Sequence, residues 1–189
     1  MNKYSICILG DHRVGKTTVA KTISEDKISK QSPINIFVTT YHSKILEFWD
    51  FSGNPKYSQL RKLFYKHFNG YMLVFDMSNR NSYKNLKKWE KEIKSFCDET
   101  DSPKIFVGTK EDLGVSEKLN REFTTVCKGK INKDEWEKFF ARVLATDNGK
   151  VLSLNADLDG YEEEKSQGFI SKVKKWWQSQ ELPLATPPK

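Results

Sequence analysis

Cysteine is scarce and poorly placed for cross-linking. Cys7, Cys97 and Cys127 form an odd, widely spaced set of three, with no C-x-x-C pair and no histidine cluster beside them. A disulfide framework and a zinc site are thereby excluded, and a reducing, cytoplasmic setting is the expectation. Long apolar runs are missing too: none approaches the roughly eighteen residues that a membrane span needs, and the opening MNKYSICILG lacks the charged-then-apolar layout of a secretory signal. The first residues make no myristoylation site and the last twelve hold no cysteine to prenylate. No direct lipid anchor is therefore expected, and recruitment to a membrane or a large assembly would run through a partner. Basic and aromatic residues are not interleaved as a stacking platform, which argues against nucleic acid as a partner.

What is present suits one packed domain. The chain has 189 residues, 37% of them hydrophobic and 30% charged, with a formal net charge of +7. A length in this range buries roughly two thirds to three quarters of its unfolded surface around one core and leaves no room for a second independent domain. The positive balance favours anionic partners, nucleotide phosphates among them.

Apolar runs and helical stripes alternate along the chain. Tyr4 to Leu9 is a short apolar run ended by Gly10 and followed by TTVAKTI, so strand, glycine turn and helix come in the order a phosphate-binding loop requires. Ile34 to Thr39 and Ile45 to Phe51 alternate as the two arms of a hairpin around His42 and Ser43. Pro55 suits the first position of a helix over about Lys56 to Phe68, and Tyr71 to Phe75 is a further strand. Tyr83, Leu86, Trp89, Ile93 and Phe96 recur at helical spacing, as do Trp136, Phe139, Phe140 and Val143 behind an N-cap at Asn132. Lys104 to Gly108 and Val151 to Leu154 supply the fifth and sixth strands, and Phe169, Ile170, Val173, Trp176 and Trp177 mark a final helix. This alternation predicts an α/β fold: a six-stranded, mostly parallel sheet with one antiparallel edge strand, helices on both faces, and ligand at the carboxyl ends of the strands.

Three motifs carry chemistry. Gly10 to Thr17 spells G-x-x-x-x-G-K-S/T: the glycines let backbone N–H groups face phosphates, Lys16 supplies charge, and Thr17 offers a hydroxyl to Mg²⁺. Gly10, Arg13, Val14, Gly15 and Thr18 complete the expected phosphate contacts. Asp50-Phe51-Ser52-Gly53 is a D-x-x-G at a strand end, where Asp50 can support a metal shell and the Gly53 N–H can meet a γ-phosphate. Thr109-Lys110-Glu111-Asp112 follows a strand, and a carboxylate there can accept from guanine N1–H and its 2-amino group. Adenine offers neither donor, so Asp112 is the reason to expect GTP or GDP over ATP.

In this order the motifs resemble those of the small GTPases of the Ras, Rho and Rab superfamily, over roughly Tyr4 to Gln178. WDFSGN is similar to that family's WDTAGQ, GTKEDL to its guanine motif in Rho spelling, and FYKHFNG and NLKKW to divergent Rab-like members. The resemblance implies a single P-loop G domain over 1–181, with an insertion at about 113–130 and a flexible tail at 182–189. It implies GTP/GDP and Mg²⁺ as ligands, with Lys16 on the β- and γ-phosphates, Thr17 and Asp50 at the metal, and Thr109, Lys110 and Asp112 around the base. Asn155-Ala156-Asp157 falls where the family has Ser-Ala-Lys, with the Ala156 N–H on the guanine oxygen. Effector or scaffold proteins would read Ser24–Val38 and Gly53–Phe64, in signalling or vesicle trafficking.

Three departures fall on switching and hydrolysis. The family's water-positioning Gln is Asn54 here, one methylene shorter. His12 and Arg13 replace small residues; they either crowd the attacking water or project into solvent, and Arg13 could instead lie near phosphate oxygens. The first-switch Thr has no clear counterpart: Ser32 could serve at the metal, and Thr39 and Thr40 read as strand residues. Slow intrinsic hydrolysis is expected. The rival reading is a switch-impaired, nucleotide-bound scaffold subunit, and the insertion is either a solvated loop or a docking element.

Overall fold

Each apolar run forms a strand of one sheet. The computed structural model describes residues 2–24, 33–97, 102–115, 123–127, 130–131 and 133–146, all within the compact unit Met1–Val151. Strands β1 (Lys3–Leu9), β2 (Ile34–Tyr41), β3 (Lys44–Phe51), β4 (Gly70–Asp76), β5 (Lys104–Thr109), β6 (Thr124–Cys127) and β7 (Lys130–Ile131) pair in the order β2-β3-β1-β4-β5-β6-β7. Helices α1 (Lys16–Ser24), α2 (Ser58–Lys62), α3 (Arg80–Phe96) and α4 (Lys133–Leu144) lie between them in sequence. Strands β3, β1, β4, β5 and β6 run parallel, so Asp50, Leu9, Asp76 and Thr109 come out at one edge.

Side-chain alternation divides the core into two layers. Ile6, Ile8, Phe48, Met72, Val74 and Val107 face Val19 and Ala20 of α1 and Trp136, Phe139, Phe140 and Val143 of α4. On the opposite face Trp49 and Phe51 pack against Phe64 and Phe68, and Phe68 against Tyr71, with ring centroids 5.7–6.2 Å apart. The β2–β3 hairpin turns on His42 and Ser43, both at positive φ (46° and 59°), as a two-residue hairpin turn requires.

The expected α/β architecture holds, with two local corrections. The segment assigned to an insertion is not all loop: Thr124–Cys127 pairs parallel with β5, and Lys130–Ile131 returns antiparallel beside it, giving seven strands with an antiparallel pair at each edge. The expected helix over 56–68 is broken into a 3₁₀ turn at Pro55–Tyr57, the short α2, and a second 3₁₀ turn at Tyr65–His67. Its physical cause is tertiary. The Tyr65 carbonyl accepts from Tyr71 Oη at 2.5 Å and from Cys97 Sγ at 3.2 Å, while Phe64 and Phe68 both turn into the aromatic layer. Asn132, the strand at 151–154, the final helix and the domain boundary at 181 lie outside the described residues.

Candidate nucleotide site

The loop between β1 and α1 is built by glycines that nothing else could replace. A Cβ on Gly10, at φ +148°, would stand 2.1 Å from the Val74 carbonyl oxygen of β4. Gly15, at φ +96°, takes a backbone conformation that strains any other residue. Between them Arg13 is left-handed at φ 63°. The chain thus curls over Lys16, whose Nζ donates to the carbonyl oxygens of Gly10 (3.0 Å) and Asp11 (2.7 Å). Burial lowers the Lys16 pKa to about 8, while the carboxylates of Asp50 and Asp11 pull it back up. The first N–H groups of α1 lack carbonyl partners within the helix, and together with the ammonium they make this loop a place for phosphate. Val14 is buried under the loop; Thr17 and Thr18 stand exposed at the helix start.

Asp50, at the end of β3, receives Thr17 Oγ1 at 2.5 Å and Asn35 Nδ2 at 3.4 Å. Burial raises its pKa, and the Thr17 hydroxyl, Lys16 and Asn35 offset part of that rise. Gly53 lies directly on the phosphate loop: a Cβ there would meet the Gly10 oxygen at 2.4 Å and the His12 nitrogen at 2.7 Å.

The third motif closes the site from β5. Thr109 Oγ1 donates to the carbonyls of Val14 (2.5 Å) and Phe75 (3.0 Å), tying the phosphate loop to β4 and β5. Lys110, left-handed at φ 58°, reaches back so that its Nζ donates to the Arg13 carbonyl at 2.9 Å and pairs with Asp76 at 2.6 Å. Burial alone would raise the Asp76 pKa, but its bonds from Lys110 and Ser78 outweigh it and hold the carboxyl low. Asp112 sits exposed in the 3₁₀ turn Glu111–Leu113.

Three separated motifs therefore meet at the carboxyl edge of one parallel sheet, and the sequence matches the Ras family model over residues 5–154. The chain belongs to the Ras family. It is 30% identical over 154 residues to the Ras-related protein Rab-11B of Dictyostelium discoideum, covering 77% of this chain and 67% of that one. RhoL of Drosophila melanogaster, a Ras-like GTP-binding protein, is 31% identical over 142 residues, with 71% and 73% covered. Ras-like protein 1 of Saccharomyces cerevisiae is 29% identical over 197 residues, with 90% and 62% covered. The chain spans about two thirds of the length of many of these relatives; for RabN1 of Dictyostelium discoideum the share is 66%.

The structure brings Gly10, Arg13, Val14, Gly15, Lys16, Thr17, Asp50, Gly53, Thr109 and Lys110 of this Ras-family chain together. Ser32 and Asn155-Ala156-Asp157 lie outside the described residues. The strand beside β5 is Thr124–Cys127, its Val126 level with Thr109. His12 and Arg13 are both exposed, and Asn54 is engaged: its Oδ1 accepts from the Lys56 N–H at 3.0 Å and caps the turn at Pro55.

Sequence reasoning missed a second set of groups that holds the site in place. Asp11 turns away from the phosphate position, accepting from Asn85 Nδ2 at 2.7 Å and Trp89 Nε1 at 2.9 Å, both on α3. Behind it Arg61 of α2, 3% exposed, stacks on the Trp89 ring at 4.8 Å. Its Nη1 donates to the carbonyls of Ser52 (3.0 Å) and Asn54 (3.2 Å), and its Nη2 meets Glu92 Oε1 at 3.4 Å. A signal for Asp11 was available, since an acid inside a phosphate loop repels its ligand unless neighbouring donors draw it aside. For Arg61 there was none, because its closest hydrogen bonds go to backbone carbonyls and its side-chain partners, Trp89 and Glu92, are distant in sequence.

Proposed function

We propose that this chain binds GTP and GDP with Mg²⁺ and works as a nucleotide-dependent switch whose intrinsic hydrolysis is slow. The observation that carries the reading is the convergence of the Lys16 ammonium, the Thr17–Asp50 pair and the Lys110–Asp76 pair at one sheet edge. Lys16 holds its proton beside two carbonyls and would transfer those bonds to phosphate oxygens. Asp112, exposed two residues past Lys110, is the carboxylate that would accept from the guanine base, and membership of the Ras family supports a guanine nucleotide as ligand.

The donor set fits Mg²⁺. Among the described residues no three His, Cys, Asp or Glu side chains gather as a metal cage. Thr17 and Asp50 instead supply one hydroxyl and one carboxylate in contact with each other, the sparse set that Mg²⁺ takes when phosphates provide the rest. When bound, the ion neutralises charge between the phosphates.

Slow hydrolysis follows from Asn54. Its side chain is short and already used as a cap, so it is poorly disposed to orient a water. Effector proteins would read residues 24–38 and 53–64, the second of which starts at Gly53 against the phosphate loop.

The scaffold reading is favoured by Arg61, which pins the 52–54 segment to α3 and would resist the loop motion that a switch needs. The two are separated by identifying the nucleotide that copurifies and following its exchange and single-turnover hydrolysis with Mg²⁺. Exchange within hours with nucleotide-dependent partner binding supports the switch; permanent occupancy supports the scaffold. A hydrolysis rate typical of a Gln-bearing enzyme, unaffected by Asn54→Ala, would reject slow hydrolysis.

A further inference from the structure

The solvent face of α3 carries a row of lysines. Lys84, Lys87, Lys88, Lys91 and Lys94 are all exposed. At roughly 100° per residue they fall within about 120° of arc and extend along about 15 Å of helix. Both glutamates of the helix lie off this face: Glu92 is turned to Arg61 and Tyr65, and Glu90 is half-buried on the other flank. Among the described residues the five lysines make no ion pair.

Like charges three or four residues apart destabilise a helix, and this face contains a run of them: 84 with 87 and 88, 87 and 88 with 91, 91 with 94. Only two glutamates flank these five lysines, and none of the five is ion-paired among the described residues, so an anionic surface outside the domain is the natural counterpart. We infer that the exposed face of α3 docks on an anionic phospholipid surface.

The residue types select this partner over others. Protein interfaces are depleted of lysine and anchored by aromatics and arginine, and no large hydrophobic side chain is exposed on α3. Nucleic-acid recognition calls for arginine forks or stacking rings, and the five lysines offer neither. Lysines on flexible stems suit a diffuse plane of head-group charge, where each contributes additively without a fixed geometry. No helix among the described residues is long and apolar enough to cross a membrane, so the contact would be peripheral.

The test is co-sedimentation of the full chain, as purified with its nucleotide, with vesicles of phosphatidylcholine alone or with about 30% phosphatidylserine. Binding to the anionic vesicles only is expected, weakening as salt rises. Replacing Lys84, Lys87, Lys88 and Lys91 together by Gln should weaken it at least about tenfold. A charge-matched control with Lys3, Lys44, Lys133 and Lys138 replaced by Gln should keep it within about twofold. If the fourfold variant fails to fold, the pair Lys87→Gln and Lys91→Gln should still lose about threefold or more. Equal losses in the test and control variants, or no binding by the parent, would overturn the inference. So would tighter binding of a duplex oligonucleotide or an acidic peptide through the same lysines.

Discussion

Replacing Arg61 by Met keeps the stem that packs on Trp89 and removes every donor. Two bonds from a charged guanidinium to the carbonyls of Ser52 and Asn54 disappear, each contributing about 1.5–3 kcal/mol. Part of the loss is returned, because Arg61 Nε is buried without a partner and its removal relieves about 1–3 kcal/mol. Glu92 is left with the Tyr65 hydroxyl at 2.7 Å and a quarter of its side chain in water, so it adds little to the cost. The balance is a destabilisation of about 2–3 kcal/mol. With a urea slope of about 2 kcal/mol per molar, that lowers the midpoint of unfolding by about 1–1.5 M. Urea titration of the nucleotide-loaded parent and variant reads it directly. Glu92→Gln combined with Arg61→Met should show a coupling of about 1 kcal/mol, since the two touch at 3.4 Å. A midpoint shift under about 0.3 M would refute the claim that Arg61 holds the 52–54 segment in place.

Other consequences follow from the same geometry. Gly53→Ala puts a methyl within 2.4 Å of the Gly10 oxygen; it should cost about 1–3 kcal/mol in stability and abolish any difference between GTP and GDP in partner binding, read by calorimetry and pull-down. Lys16 has its pKa at about 8 in the folded domain against an ordinary 10.5. Between those values the unfolded chain holds a proton that the nucleotide-free domain has released, so nucleotide-free stability rises with pH through that window. Affinity for labelled GDP should run the other way, falling about tenfold per unit above pH 8; Lys16→Met should remove that slope. Asn54→Gln should raise single-turnover GTP hydrolysis by about tenfold or more, because the longer amide is freed from capping Lys56.

The parts of this fold that were legible in the sequence are those fixed by local chemistry. Gly10 and Gly15 announced the phosphate loop because only glycine tolerates that curl, and the stripes on α3 and α4 announced helices because 3.6-residue periodicity survives any context. The hairpin was readable from alternation around His42 and Ser43. What was hidden depends on distant partners. Residues 56–68 carry a helix-compatible pattern, yet Tyr71 and Cys97 capture the Tyr65 carbonyl and the aromatic layer draws in Phe64 and Phe68. Thr124–Cys127 is too short and too polar to signal a strand until β5 offers an edge. In the site, the motif residues were visible and Asp11 stood out as an acid in a phosphate loop, whereas Asn85, Trp89 and Arg61 act on it and on residues 52–54 through a packing that no spacing encodes.

The most direct measurement is equilibrium titration of nucleotide-stripped protein with fluorescent GDP and ADP in Mg²⁺, beside Lys16→Ala and Asp112→Ala. Saturable binding of the guanine ligand alone is expected, lost in the first variant and stripped of its preference for guanine in the second. Failure of both ligands to saturate, or equal affinity for both in the unsubstituted chain, would contradict the account.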